Sequence, residues 1–414
     1  MSAPRDAASR RLDRRLMLPI FLVVCLDAAS SGAVLPVLPF FLRDLGATPL
    51  VLGVVLGAEA LSQFVAAPWL GQLSDRFGRK TVLLASQAGA LLSLALLASA
   101  EIVAFALLAR VLLGLTAANF SMAAAYAADN SSPADRRQAI GILSAGLGLG
   151  GMAGPSLSGL LSDISLTAPI WLALALSAAS MLVTGLWLKG TPGRSSGNAG
   201  ADEAVRERVP VRSLLASPVI RILVAVLLCH YFSYGMFSSQ LAVFLGDTFV
   251  WNGHAFGPAE LSYLLTADGA INIAIQLVLL PWLSRRLSER SLIVLVFGIL
   301  ATGYVAAGAA TGIAALAFAV LCISTGVALA RPTFVAALSV HVPRQRQGVA
   351  MGSIQSLVAV SDVASPVLAG LVVGQGLYGA WIGAVVAIAL TGAAIARSRL
   401  GPPAADHRSF NSAS

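Results

Sequence analysis

Apolar runs of roughly twenty residues recur from one end of the 414-residue chain to the other, each long enough to cross about 30 Å of hydrocarbon as a helix. Twelve spans are expected, at about 17–41, 50–72, 81–99, 103–127, 138–161, 168–188, 218–246, 259–283, 291–311, 313–337, 347–374 and 377–396. The polar stretches between them are short, with one exception. Residues 190–217 combine Gly, Ser and charge, which predicts a flexible linker. The pattern therefore predicts an all-α membrane protein of two six-helix bundles, 17–189 and 218–396, with a basic tail at 1–16 and a second tail at 397–414.

The two halves are related. LSDRFGRKTVLL from Leu73 aligns with LSRRLSERSLIV from Leu283, an offset of 210, and AGPSLSGLL from Ala153 with ASPVLAGLV from Ala364, an offset of 211. The pairs Pro155/Pro366, Leu157/Leu368, Gly159/Gly370 and Gly141/Gly352 coincide. Internal repeats of this kind build transporters with a mid-membrane site and alternating access.

Composition agrees: 57% of residues are hydrophobic and 11% charged, against about 25% charged in a soluble protein. The net charge of +8 does not point to nucleic acid, because the bases are scattered between apolar segments. They are also lopsided. With a cytoplasmic N-terminus, Arg43 is the only Lys or Arg in an outer loop, Arg110 and Arg331 lie within spans, and all the others fall inside. Both termini are therefore expected to be cytoplasmic. The first apolar run is too long for a signal peptide and lacks a cleavage site. Cys25, Cys229 and Cys322 follow neither a metal-ligand nor a disulfide spacing and are expected to pack. No phosphate-binding loop or nucleophile–base motif is present, which argues against a primary pump or an enzyme, and no cofactor or metal is expected.

The turn after the second run reads GQLSDRFGRKTVLL. Through Gly71, Leu73, Asp75, Arg76, Gly78, Arg79 and Lys80 it resembles the signature G-x-L-x-D-R-x-G-R-[KR] of the major facilitator superfamily. LLARVLLGLTAA resembles that family's fourth-span motif through Arg110 and Gly114, and GLGGMAGPSLSGLL its fifth-span antiporter motif through Gly150, Gly154, Pro155 and Gly159, with Ser158 where Gly is common. The first half, notably QFVAAPWLGQLSDRFGRK, is similar to drug/proton antiporters of the tetracycline-efflux type. Those exporters carry an acid in mid-span three, where this chain has Ser93. The resemblance implies the facilitator fold and a bacterial inner-membrane transporter, expected as a monomer. It also implies a gate: Asp75 latching to the start of span eleven, and Arg79 bracing Asp129 with Arg136 nearby. Gly71, Arg76, Gly78, Gly150, Gly154 and Pro155 are expected to shape this gate and the helix seams.

Charges inside spans are costly and each needs a reason. At 1.5 Å per residue, Asp27 lies roughly 15 Å from the inner end of span one and Arg110 roughly 11 Å below the outer end of span four, with Glu59 at similar depth. An acid and Arg110 are expected to pair there, and Asp27, Glu59 and Arg110 are candidates for proton coupling; a structural ion pair is the alternative. Asp268, Asn272 and Gln276 share one face of span eight, and Glu59 and Gln63 one face of span two. With Asn119, His230, Tyr231, Tyr234 and Asp362 they are expected to line a substrate cavity, helix–helix hydrogen bonding being the alternative. The expected function is proton-coupled export of a small organic or amphipathic compound. Proton-coupled import of a sugar, metabolite or siderophore is a second reading, and a non-transporting sensor a third.

Overall fold

The structure, a computed structural model, describes residues 14–117, 119–132, 135–190, 217–342 and 347–400, without the side chains of 14–16, Arg137, 347–351 and Ser353. The tail at 1–16 and nearly all of the 190–217 linker and the 397–414 tail lie outside the described residues or side chains. Among the described residues, twelve helices are long and apolar enough to cross a membrane, one for each expected run.

Helix α1 covers Arg14–Val34, and the first span ends there rather than near 41. Leu35 precedes Pro36, and a residue before proline is driven out of the helical region. The chain restarts as α2, Leu38–Asp44, with Pro39 in its first turn. Helix α3 runs Pro49–Phe77 and α4 Arg79–Ala98, so the expected turn between them shrinks to Gly78. Span four is broken: α5, Val103–Thr116, gives way to α6, Asn119–Asp129. Helices α7, Arg136–Ser162, and α8, Ala168–Trp187, follow.

Helix α9 covers Pro218–Thr248, and a two-residue antiparallel pair follows, Val250–Trp251 with His254–Ala255. Its Asn252–Gly253 turn has φ of 48° and 91°, which suits a two-residue hairpin. Span eight is α10, Pro258–Ala274, a π-helical segment Ile275–Leu279, and α11, Leu280–Ser284. Pro281 lacks the donor a regular helix needs there, and the wider turn precedes it. The last four helices are α12, Glu289–Gly308, α13, Ile313–His341, α14, Gln347–Val373, and α15, Tyr378–Arg399.

The chain packs into two compact units: 1–47 with 58–202 and 257–266, and 48–57 with 203–256 and 267–414. In the first, Ser156 and Thr266 share a hydrogen bond of 3.0 Å. In the second, Gln240 donates to the Pro49 carbonyl at 3.2 Å. The first unit's core joins Met17, Ile20, Val23 and Val24 of α1 to Val82 and Leu83 of α4, Met122 and Tyr126 of α6, and Leu143 of α7. In the second, the Phe237 ring stacks on Trp381 at 5.6 Å and meets Tyr304 at 4.8 Å, while Trp381 Nε1 donates to the Met236 carbonyl. Lipid is as apolar as these side chains, so such helices associate through close packing and hydrogen bonds.

Candidate functional site

The charged turn is built around one residue. Gly78 has φ 89° and ψ 147°, a conformation open only to glycine, and it links α3 to α4 directly. Asp75 on the last turn of α3 therefore stands four residues from Arg79, which holds it at 2.8 Å, Asp129 at 3.2 Å, and the Ser74 hydroxyl at 3.1 Å. Arg136 instead donates to the Ala128 carbonyl at 3.4 Å, and Arg76 lies 5.2 Å from the Phe77 ring centre. Gly71 was expected to permit close packing, but a Cβ there would meet open space. Lys80, with no role expected from sequence, donates to the Gly185 and Leu188 carbonyls at 2.8 and 2.7 Å. A cation at the last carbonyls of α8 suits that end of the helix.

Deeper in the first unit, Arg110 pairs with Glu59, Nε to Oε2 at 3.0 Å, and not with Asp27. The reason is one turn further along α5. A Cβ on Gly114 would collide with the Glu59 carbonyl, so only glycine lets α5 approach α3 closely enough to seat Arg110 on Glu59. Arg110 is 4% exposed, and its Nε has ion-pair contact without an aligned hydrogen bond. Gln63, one turn beyond Glu59, is exposed. Buried Ser93, at the position where the tetracycline-type exporters carry an acid, donates to the Ala109 carbonyl at 2.7 Å. A carboxylate at that point would confront an oxygen it cannot bond.

Asp27 is surrounded by neutral polar groups: Gln87 of α4, Asn119 of α6 and Ser180 of α8 face its carboxyl as hydrogen-bond partners. Its Oδ2 is nevertheless sequestered without an aligned bond. Gln87 Nε2 donates to Ser180 Oγ at 2.9 Å, and Ser180 Oγ donates to the Val23 carbonyl at 3.3 Å. The break in span four puts Asn119 at the start of α6. The carbonyl freed at Thr116 accepts from Ser86, and Thr116 Oγ1 bonds back to the Leu112 and Leu113 carbonyls at 3.0 and 3.1 Å. Irregular backbone at membrane depth persists where polar groups of the protein satisfy it in this way.

The glycine stripe of α7 faces α1 in the same unit. A Cβ on Gly150 would strike the Cys25 carbonyl, one on Gly154 the Ala29 carbonyl, and Pro155 lies against Gly32.

In the second unit, His230 is 4% exposed, with ring centres of Tyr231, Phe334, Tyr234 and Phe297 at 5.3, 5.5, 6.3 and 6.4 Å. It was expected on a cavity wall; so enclosed, it belongs to the core. Tyr231 and Tyr234 are half-buried, the first within electrostatic reach of Arg331 and Asp362, the second of Asp268. Asp268 bonds Ser324 of α13. Gln276 Nε2 donates to Asn272 Oδ1 at 2.6 Å, but Gln276 sits in the π-helical segment and is exposed, so the stripe does not continue as one regular helical face.

Residues 20–366 match the family model of the Major Facilitator Superfamily. The chain belongs to that superfamily. The facilitator is 35% identical over 357 residues to the class G tetracycline resistance protein of Vibrio anguillarum, covering 83% of this chain and 87% of that one. It is 25% identical over 348 residues to multidrug resistance protein 2 of Bacillus subtilis strain 168, covering 82% and 84%. Among solved structures, the nucleoside transporter NupG matches with a TM-score of 0.76 at 14% identity, over 92% of this chain and 98% of that one, which is a likeness of fold. The family makes this an integral membrane transporter of a small molecule, not an enzyme.

For this transporter, sequence reasoning missed Gln87 and Ser180 as the neighbours of Asp27. Their signal was two polar residues in otherwise apolar runs, but neutral polar side chains are common in spans and neither announced a partner.

Proposed function

We propose that this chain is a proton-coupled exporter of small organic or amphipathic compounds, working by alternating access as a monomer in a bacterial inner membrane with both termini cytoplasmic. The observation that carries the proton role is Asp27. It is a mid-span carboxyl wrapped in neutral groups, and among the described residues no cation pairs with it. With no fixed charge to hold it ionised, it is free to bind and release a proton. Glu59 is held by Arg110, so of the two acids Asp27 carries the proton and the pair orders the bundle around it. Export of drugs is supported by the resistance proteins that the chain resembles. Ser93, bonded to a backbone carbonyl, favours a substrate range other than that of the tetracycline exporters.

Half-buried Tyr231, Tyr234, Asp268, Asn272 and Asp362 form the substrate surface of the second unit in this reading, while Asn119 belongs to the surroundings of Asp27 in the first. Asp75 and Arg79 form the gate. The partner that sequence leads one to expect for Asp75, at the start of span eleven, lies outside the described side chains.

The test uses purified protein in liposomes with an imposed pH gradient, screened against tetracycline, ethidium and metabolites. Wild type is expected to move at least one dye or antibiotic against its gradient, and Asp27→Asn to insert normally but lose gradient-driven movement. Full coupled transport by Asp27→Asn would remove the proton role. In intact cells, uncoupler-induced retention marks export, whereas uptake abolished by the uncoupler establishes import instead.

A further inference from the structure

The surroundings of Asp27 hold more acceptors than donors satisfy. Three oxygens there or on its neighbours, Asp27 Oδ2, Gln87 Oε1 and Asn119 Oδ1, are sequestered without a hydrogen bond. Two of them belong to carboxamides, flat groups that carry NH2 at one corner and C=O at the other. A half-turn of such an amide exchanges donor for acceptor with almost no change of shape. Gln87 has no exposed surface at all, so its amide answers only to its protein neighbours.

We infer that Gln87 and Asn119 are positioning residues that hold Asp27 in both of its protonation states. Towards the carboxylate each amide presents N–H. When a proton arrives from the aqueous phase on Oδ2, one of the two amides turns to accept the single new O–H through the oxygen that is otherwise unpartnered, while the other keeps its N–H towards the remaining oxygen. No other covalent bond changes, and the proton leaves by the reverse step. The inference rests on Asp27 being the proton carrier.

Ser180 extends the exchange. It accepts from Gln87 Nε2 and gives its one hydrogen to the Val23 carbonyl, so a half-turn of Gln87 draws that hydrogen from Val23 to Gln87 Oε1 and reverses the bond between α4 and α8. The protonation of a residue on α1 is thereby written into the contact between two other helices.

Among the described residues of this unit, no charged group competes at this point. The elements that pack on α1 bring it Gly146, Gly150 and Gly154 from α7, Ser180 from α8 and Asn119 from α6, with Gln87 reaching in from α4. The titratable and charged residues on those helices are Tyr126 and Asp129 of α6, Arg136 and Arg137 of α7, and Arg79 and Lys80 of α4, all at or near the charged-turn end; α8 carries none. Glu59 and Arg110 are engaged with each other.

The test titrates the full-length protein in lipid by difference infrared spectroscopy, with the carboxylic acid band of Asp27 assigned by its loss in Asp27→Asn. In Gln87→Met the carboxylate loses a charge-assisted bond, which is stronger than the bond lost by the acid. The midpoint of the Asp27 band is expected to move to higher pH by about one unit, the worth of one such bond, and the band itself to shift in frequency. The pH profile of transport follows the same displacement. Asn119→Leu is expected to do likewise and decides the matter if Gln87→Met fails to insert. A lowered melting temperature with midpoint, frequency and pH profile all unmoved would overturn the inference and leave Gln87 a packing residue. Should Asp27→Asn retain coupled transport, the proton reading itself falls, a distinct result.

Discussion

The Glu59–Arg110 pair yields a prediction with an unusual asymmetry. At 3.0 Å and an effective dielectric of about 20, the gross attraction is about 5.5 kcal/mol. Desolvation offsets much of it, and unequally. The Arg110 side chain is 5% exposed and that of Glu59 24%, so the guanidinium is the more deeply stranded when its partner goes. Glu59→Gln should therefore cost about 3–4 kcal/mol, within the range for breaking a buried pair. Arg110→Gln leaves the less deeply buried of the two charges and should cost about 2 kcal/mol. The double variant should be little worse than Glu59→Gln alone, a coupling of about 2 kcal/mol. Reversible unfolding in mixed micelles of lipid and detergent, run as a double-mutant cycle, measures all three. Additivity within about 0.5 kcal/mol, or Arg110→Gln proving the costlier single change, would refute the pairing or its burial.

Three further outcomes are expected. Gly78→Ala should destabilise by about 1–3 kcal/mol, and Gly78→Asn as much, because ψ 147° lies outside the left-handed helical region that asparagine tolerates; unfolding at wild-type stability would contradict the strained turn. Gly154→Val should cost about 1–3 kcal/mol by driving a side chain into the α1 backbone, whereas Gly71→Ala, facing open space, should be neutral or stabilising; equal effects in a thermal melt would undo the contrast. Lys80→Met should lose about 1–2 kcal/mol with two bonds to α8, and Lys80→Arg less; a full loss in Lys80→Arg would show that its length, and not its charge, sets the cap.

The number of spans was legible because each needs a window of apolar residues and nothing else supplies one. Asp27, Glu59 and Arg110 stood out for the same reason, as charges where charge is expensive. A pair with Arg110 was legible, but which acid forms it was not. Sequence gives depth along a helix, whereas partner choice depends on which face meets which neighbour, and here the missing Cβ of Gly114 decides it. Breaks followed the same division. Pro36 and Pro281 advertise the end of the first span and the wide turn of the eighth. The pause after Thr116 has no proline, and it rests on a hydroxyl of another helix, Ser86, that no local pattern reveals. His230 drew notice because a histidine in a span looks like chemistry, and the four aromatic rings that surround it could not be read from the sequence.

A one-residue link has a mechanical meaning. Consecutive Cα atoms stand 3.8 Å apart, so the last residue of α3 and the first of α4, separated by Gly78 alone, have almost no slack between them. Helix α3 cannot slide along its axis without dragging the start of α4. That start carries Arg79 and Lys80, clamped to α6 and α8, and about two turns further on Gln87 beside Asp27. Spans two and three thus behave as one rod bent at a pin. A shift at either end is delivered over the length of the membrane without being absorbed in a loop.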